Sequence, residues 1–103
     1  MSAFGIGTNT TKIDSGEIRG KMYHVACKVW FTATCSPRPL SFKFEGDDGI
    51  IQTVSNISIK CSEDKTYSGI PSKEFVCESI IGGFMREFKL IFFVESCKWV
   101  MVI

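Results

Sequence analysis

The sequence predicts an all-β domain, a six-stranded antiparallel meander curled into a small barrel or half-barrel. Three observations lead there. Phe88, Leu90, Phe92 and Val94 alternate with Glu87, Lys89, Ile91 and Phe93, which is the two-residue period of a strand. Gly82-Gly83 separates this run from the apolar run before it, and two adjacent glycines can take the positive φ values of a tight hairpin turn. Nine Phe, two Trp and two Tyr make the chain 13% aromatic, a content that suits pleated strands better than helices.

Residues 1–21 read as an N-terminal arm, in which Gly, Thr and Ser surround the isolated apolar residues Phe4, Ile6, Ile13 and Ile18, too sparse for a core of their own. Residues 22–103 read as one β-barrel-like domain. Met22 opens the first strand, with Tyr23, Val25, Cys27, Val29 and Phe31 on one face and His24, Ala26, Lys28, Trp30 and Thr32 on the other. Pro37 and Pro39 are expected to end it, because proline donates nothing to a ladder. Leu40, Phe42 and Phe44 alternate with Ser41, Lys43 and Glu45 in a second strand, and Gly46-Asp47-Asp48-Gly49 is a turn by composition.

A third strand is expected over about Ile50 to Cys61, with a phase slip near Ser55-Asn56 that a bulge or bend would explain. The polar stretch from Ser62 to Ser72, with Gly69 and Pro71, reads as the longest loop. In Lys73 to Ile81 a helical spacing through Val76, Ile80 and Phe84 competes with a strand through Phe75, Cys77 and Ile81. Its short length and Phe/Val/Ile content decide for the strand. The last strand carries Trp99 in phase with Cys97 and Met101. A flat sheet of this size leaves two edges and one apolar face unprotected, so the meander is expected to close into an SH3-like barrel or half-barrel.

A chain of 103 residues is one domain that buries roughly two-thirds of its unfolded surface. With 45% apolar and 22% charged residues it has the material for a packed core. The formal net charge is +1 and the charges of both signs are scattered, whereas nucleic acid or an anionic membrane calls for a concentrated basic face. No run approaches the roughly 18 apolar residues of a membrane span, and the first twenty residues lack the basic-then-apolar layout of a secretory signal. Cys27, Cys35, Cys61, Cys77 and Cys97 are odd in number and include no Cys-x-x-Cys pair, on which zinc ribbons and redox motifs depend. The expectation is a cytoplasmic protein with reduced thiols, in which Cys27, Cys77 and Cys97 act as small core hydrophobes. The glycosylation sequons at Asn9 and Asn56 are then chance matches.

From Arg38 onward, over roughly residues 38–101, the chain carries Arg38-Pro39-Leu40-Ser41-Phe42-Lys43-Phe44, then Val54 with Ile57. Phe75-Val76-Cys77 follow ahead of Gly82-Gly83, then Phe88-Lys89-Leu90 and the late Trp99. This pattern resembles small uncharacterised bacterial β-domains, a family with no assigned activity. The resemblance implies a barrel-like fold, and none of its elements is catalytic.

Chemistry is sparse. His24 is the only histidine, so metal sites built on two or more histidines are excluded. His24 and Cys27 stand three residues apart on a strand, which places them on opposite faces and prevents a nucleophile pair. Glu45, Asp47 and Asp48 lack the alternating oxygen ligands and distal Glu of a calcium loop. Gly82-Gly83 lacks the flanking pattern of a phosphate cradle. No catalytic residue, cofactor or metal is expected, and the chain reads as a non-enzymatic module.

Two surfaces stand out. Ile91, Phe93, Val100 and Val102, together with Met85, make the last strands apolar on both phases, as a contact with a second copy or another protein would require unless the arm or another strand covers them. The alternative is a single-stranded nucleic-acid face on Lys28, Trp30 and Lys43 with Arg38 nearby, an aromatic residue set among cations on a sheet. A small ligand cavity inside the barrel is a further possibility.

Overall fold

The computed structural model describes Ile18 and residues 20–103. Phe4, Ile6 and Ile13 of the expected arm, and the sequon at Asn9, lie outside the described residues. Seven strands form: β1 (Met22–Phe31), β2 (Pro37–Glu45), β3 (Ile51–Val54), β4 (Ser58–Tyr67), β5 (Ile70–Ile81), β6 (Phe84–Phe93) and β7 (Lys98–Val102). They make one antiparallel sheet in the order β3-β2-β1-β7-β6-β5-β4. Every strand pairs with its successor except β3, and β1 pairs with β7. The meander is therefore rolled until its first and last strands meet, with a seam left between β3 and β4. The Ser79 hydroxyl donates to the Ser55 carbonyl across that seam at 2.7 Å.

The all-β half-barrel agrees with the sequence, with seven strands in place of six. The difference sits at the phase slip. Asn56 takes φ 55°, and the single strand expected from Ile50 to Cys61 divides into β3 and β4 on opposite edges of the sheet. The stretch expected as a long loop is the β4–β5 hairpin: Ser68 (φ 50°) and Gly69 (φ 81°) form a two-residue turn between Tyr67 and Ile70. Most of β4 is exposed, so it lacks an apolar phase, and Lys60, Glu63 and Asp64 keep this edge from pairing with other chains. Gly82 (φ 61°) and Gly83 (φ 85°) make the expected hairpin turn between Ile81 and Phe84. Lys73–Ile81 is strand. Pro37 and Pro39 lie within β2 rather than before it, at its first residue and at a register shift opposite Lys28 and Val29, two places where a missing N–H is tolerated.

The concave face holds the main core. Phe42 and Phe88 meet edge-to-face at 5.5 Å although β2 and β6 are not neighbours, which shows how far the sheet is rolled. Trp99 stacks on Phe92 at 4.8 Å and on Phe75 at 5.7 Å. Cys77 is buried and Cys27 half-buried in this layer, while Cys97 is exposed at φ 54° in the β6–β7 turn and is not a core residue.

On the convex face a second cluster gathers Tyr67, Ile91, Val100 and Val102, with Ile18 and Phe93 packed against it. Gly20 (φ 103°) leads Ile18 in. A Cβ there would lie 2.8 Å from Val102 Cγ1, so only glycine lets the chain pass so close. Removing residues 1–19 takes Ile18 off this cluster. The shortened chain is expected to melt several degrees lower and to associate with rising concentration in light scattering. Unchanged melting and mass would show that Ile18 is not the cover.

Candidate functional site

β1 presents its even-numbered residues outward, and His24, Ala26, Lys28 and Trp30 are all exposed. Its register with β2 sets Ala26 opposite Lys43, Lys28 opposite Ser41 and Trp30 opposite Arg38. Directly opposed side chains on one face have Cβ atoms about 4.5–5.5 Å apart. The fold thus brings Lys28, Trp30, Arg38 and Lys43 onto one convex face, all of them exposed. Trp30 is 67% exposed, and Leu40, made an extra residue by the register shift, is exposed beside it.

The charge on this face is mainly positive, with Glu45, which ends β2 on the outward phase of Lys43, as the one carboxylate of the two strands. Residues 22–44 contain Lys28, Arg38, Lys43 and His24 but no Asp or Glu. Among the described residues none of these three cations has a carboxylate within ion-pair distance. Several cations elsewhere are paired, among them Lys60 with Glu87 at 2.9 Å, Lys73 with Asp64 at 2.9 Å, and Lys21 with Asp47, whereas Arg86 and Lys98 have no carboxylate within ion-pair distance among the described residues. The Lys21 ammonium holds the Asp47 carboxyl below the usual carboxylate range. A near-neutral total therefore conceals a local excess of positive charge on β1 and β2.

The other candidate surface is closed. Ile91 is fully buried, Val100 and Val102 are nearly so, and Phe93 is half-buried. Apolar residues on both phases mark central strands covered on both sides, here by the core within and by Tyr67 and Ile18 without. Met85, grouped with them from the sequence, stays exposed opposite Ile80 at the β5–β6 hairpin.

Among the described residues no three His, Cys, Asp or Glu side chains come together as a metal site. His24 is exposed on the convex face, while Cys27 packs against the core and burial pushes its thiol up to about 12, far from a thiolate nucleophile.

Two residues escaped sequence reasoning. Glu74 is 2% exposed on the convex face, accepts a hydrogen bond from the Tyr67 hydroxyl, and lies 3.7 Å from both Lys65 and Lys89. Nothing local distinguishes it from the other carboxylates that alternate along a strand. Arg86 stands on the inward phase of β6 with Phe84 and Phe88, a position that a cation two residues before an apolar run could have signalled.

No family model, curated protein or solved structure matches the chain.

Proposed function

We propose that the protein is a non-enzymatic binding module that holds single-stranded nucleic acid on the convex face of β1 and β2. One observation carries the reading: an exposed Trp30 set among Lys28, Arg38 and Lys43, in a stretch with no carboxylate. A base stacked on an aromatic side chain is worth about 1–3 kcal/mol, and cations at this spacing take the phosphates on either side. Three phosphate contacts correspond to a slope of about −2 in log affinity against log salt. With a net charge of only +1 the attraction is local, so binding is modest and lost early as salt rises. The reading places the protein in a reducing cytoplasm, supported by its five free cysteines.

The test uses the protein's own fluorescence. Trp99 is buried and Trp30 exposed, so quenching by a short oligothymidylate reports on Trp30. Saturable quenching at low salt is expected. Trp30→Ala, followed by anisotropy of a labelled oligonucleotide, is expected to weaken binding roughly 5- to 150-fold, the equivalent of 1–3 kcal/mol. Lys43→Gln is expected to flatten the salt slope by about 0.7. Absence of binding at low salt rejects the reading.

Leu40, exposed on β2 near Trp30, favours one second reading, contact with another copy of the chain. A dimer in light scattering that Trp30→Glu dissolves, in a protein that ignores the oligonucleotide, assigns the face to self-association.

A further inference from the structure

We infer that the end of the half-barrel formed by the start of β1 and the β5–β6 hairpin is a binding site for a small organic carboxylate with an apolar body. A cavity of about 380 Å³ opens there, at the small end of the range of ligand pockets. Tyr23, Phe44, Ile81 and Met101 form its apolar walls, and Phe84, 74% exposed, stands at its rim.

Arg86 supplies the polar anchor. Phe84, Arg86, Phe88 and Leu90 share the inward phase of β6, so Arg86 continues the core row toward the cavity it lines. Its partner across the sheet is Ser79, whose hydroxyl is already donated to the Ser55 carbonyl. Among the described residues no carboxylate lies within ion-pair distance of Arg86. The two carboxylates at the cavity are engaged elsewhere: Asp47 with Lys21 and the Tyr23 hydroxyl, and Asp48 as acceptor from the Ile50 amide at 2.9 Å. A guanidinium without a carboxylate partner among the described residues, set beside the apolar wall of a cavity of mixed polarity, matches the planar fork of a carboxylate.

The same two aspartates select against a dianion such as a free phosphate, since their charges repel a second negative charge more strongly than one. A monoanion leaves one charge for Arg86 and an apolar remainder for Phe44, Met101 and the exposed ring of Phe84. The site is separate from the Trp30 face: Tyr23 lies at the other end of β1, roughly 20 Å away at about 3.3 Å per residue, and on the opposite side of the sheet.

The test titrates the full chain, labelled at its methionine methyl groups, with 2-naphthoate, using uncharged 2-naphthamide and inorganic phosphate as parallel arms. The acid is expected to bind saturably and to shift the Met101 methyl resonance. The amide, which lacks the charge, and Arg86→Gln, which lacks the guanidinium, are each expected to weaken binding roughly 10- to 100-fold, the span of a hydrogen bond to a charged group. Arg86→Lys, which keeps the charge but not the fork, is expected to fall between. Equal affinity for acid and amide overturns the inference without any variant, as does phosphate binding as well as naphthoate. No saturation, or an Arg86→Gln protein that binds like the parent, overturns it too.

Discussion

Trp99→Ala is expected to remove about 3–5 kcal/mol of stability, the range for a large buried aromatic and a large share of what holds a small domain folded. Trp99 is 8% exposed and stacked between Phe92 and Phe75. It sits on β7, the short strand that joins β1 to β6 and so closes the two arms of the meander into one sheet. A loss there is felt on both sides of the sheet, and no neighbouring side chain can fill the space of an indole. Urea unfolding monitored by circular dichroism checks this: the midpoint is expected to fall sharply, with a folded baseline barely reached. Trp99→Phe, which keeps the stack, should retain most of the stability. A Trp99→Ala protein that melts within a degree or two of the parent would mean that β7 does not face the core as described.

Raising the pH from 9 toward 12 is expected to unfold the protein through its buried thiols. Cys77 is fully buried on the concave face, and its thiol is pushed from 9.0 up to about 12, chiefly because burial disfavours the thiolate and secondarily by the nearby Cys27. The folded state therefore holds this proton more tightly than the unfolded chain. Its contribution is fully present below pH 9, where both states are protonated, and is lost as pH rises through the interval, where only the unfolded chain ionises. A three-unit interval corresponds to about 4 kcal/mol, or about 1.4 kcal/mol per pH unit. Cys27, half-buried and raised in the same direction, adds to the effect. Urea unfolding at a series of pH values should show the parent losing stability faster than Cys77→Ala by up to about that slope. Parallel curves for the two proteins would show that the Cys77 thiol is already hydrated in the folded state.

The Trp30 face carries a further consequence for the same experiments. Because Lys28, Arg38 and Lys43 have no carboxylate partners among the described residues, replacing them should change stability little, usually within about 0.5 kcal/mol for an exposed surface position. Effects of Lys43→Gln on oligonucleotide affinity can therefore be read as binding effects. Glu74 behaves in the opposite way, since it is buried beside Tyr67 with the ammonium groups of Lys65 and Lys89 reaching it from the surface, and any change there reports on packing.

Local rules were enough for much of the molecule. The two-residue period marks β1, β6 and the inward phase of Trp99. Positive φ at Gly82 and Gly83 closes their hairpin as their lack of a Cβ allows, and alternation alone places Lys28 and Trp30 on one side of β1. These features depend on residues a few positions apart, so the chain displays them before it folds. Other features depend on which strands become neighbours. The slip at Asn56 is visible in the sequence, but only the rolled sheet sends β3 and β4 to opposite edges. β4 hid as a loop because an edge strand exposed along most of its length has no apolar phase to reveal it. Ile91 and Val100 are apolar on the face opposite the core, a pattern that suits equally a bare interface and a covered one. The choice fell to Tyr67 and Ile18, which arrive from distant parts of the chain. Arg86 acquires meaning only when the barrel end opens beside it. Side-chain alternation and turn chemistry are local properties of the chain, whereas burial and the pairing of charges are set by segments that meet only in the folded sheet.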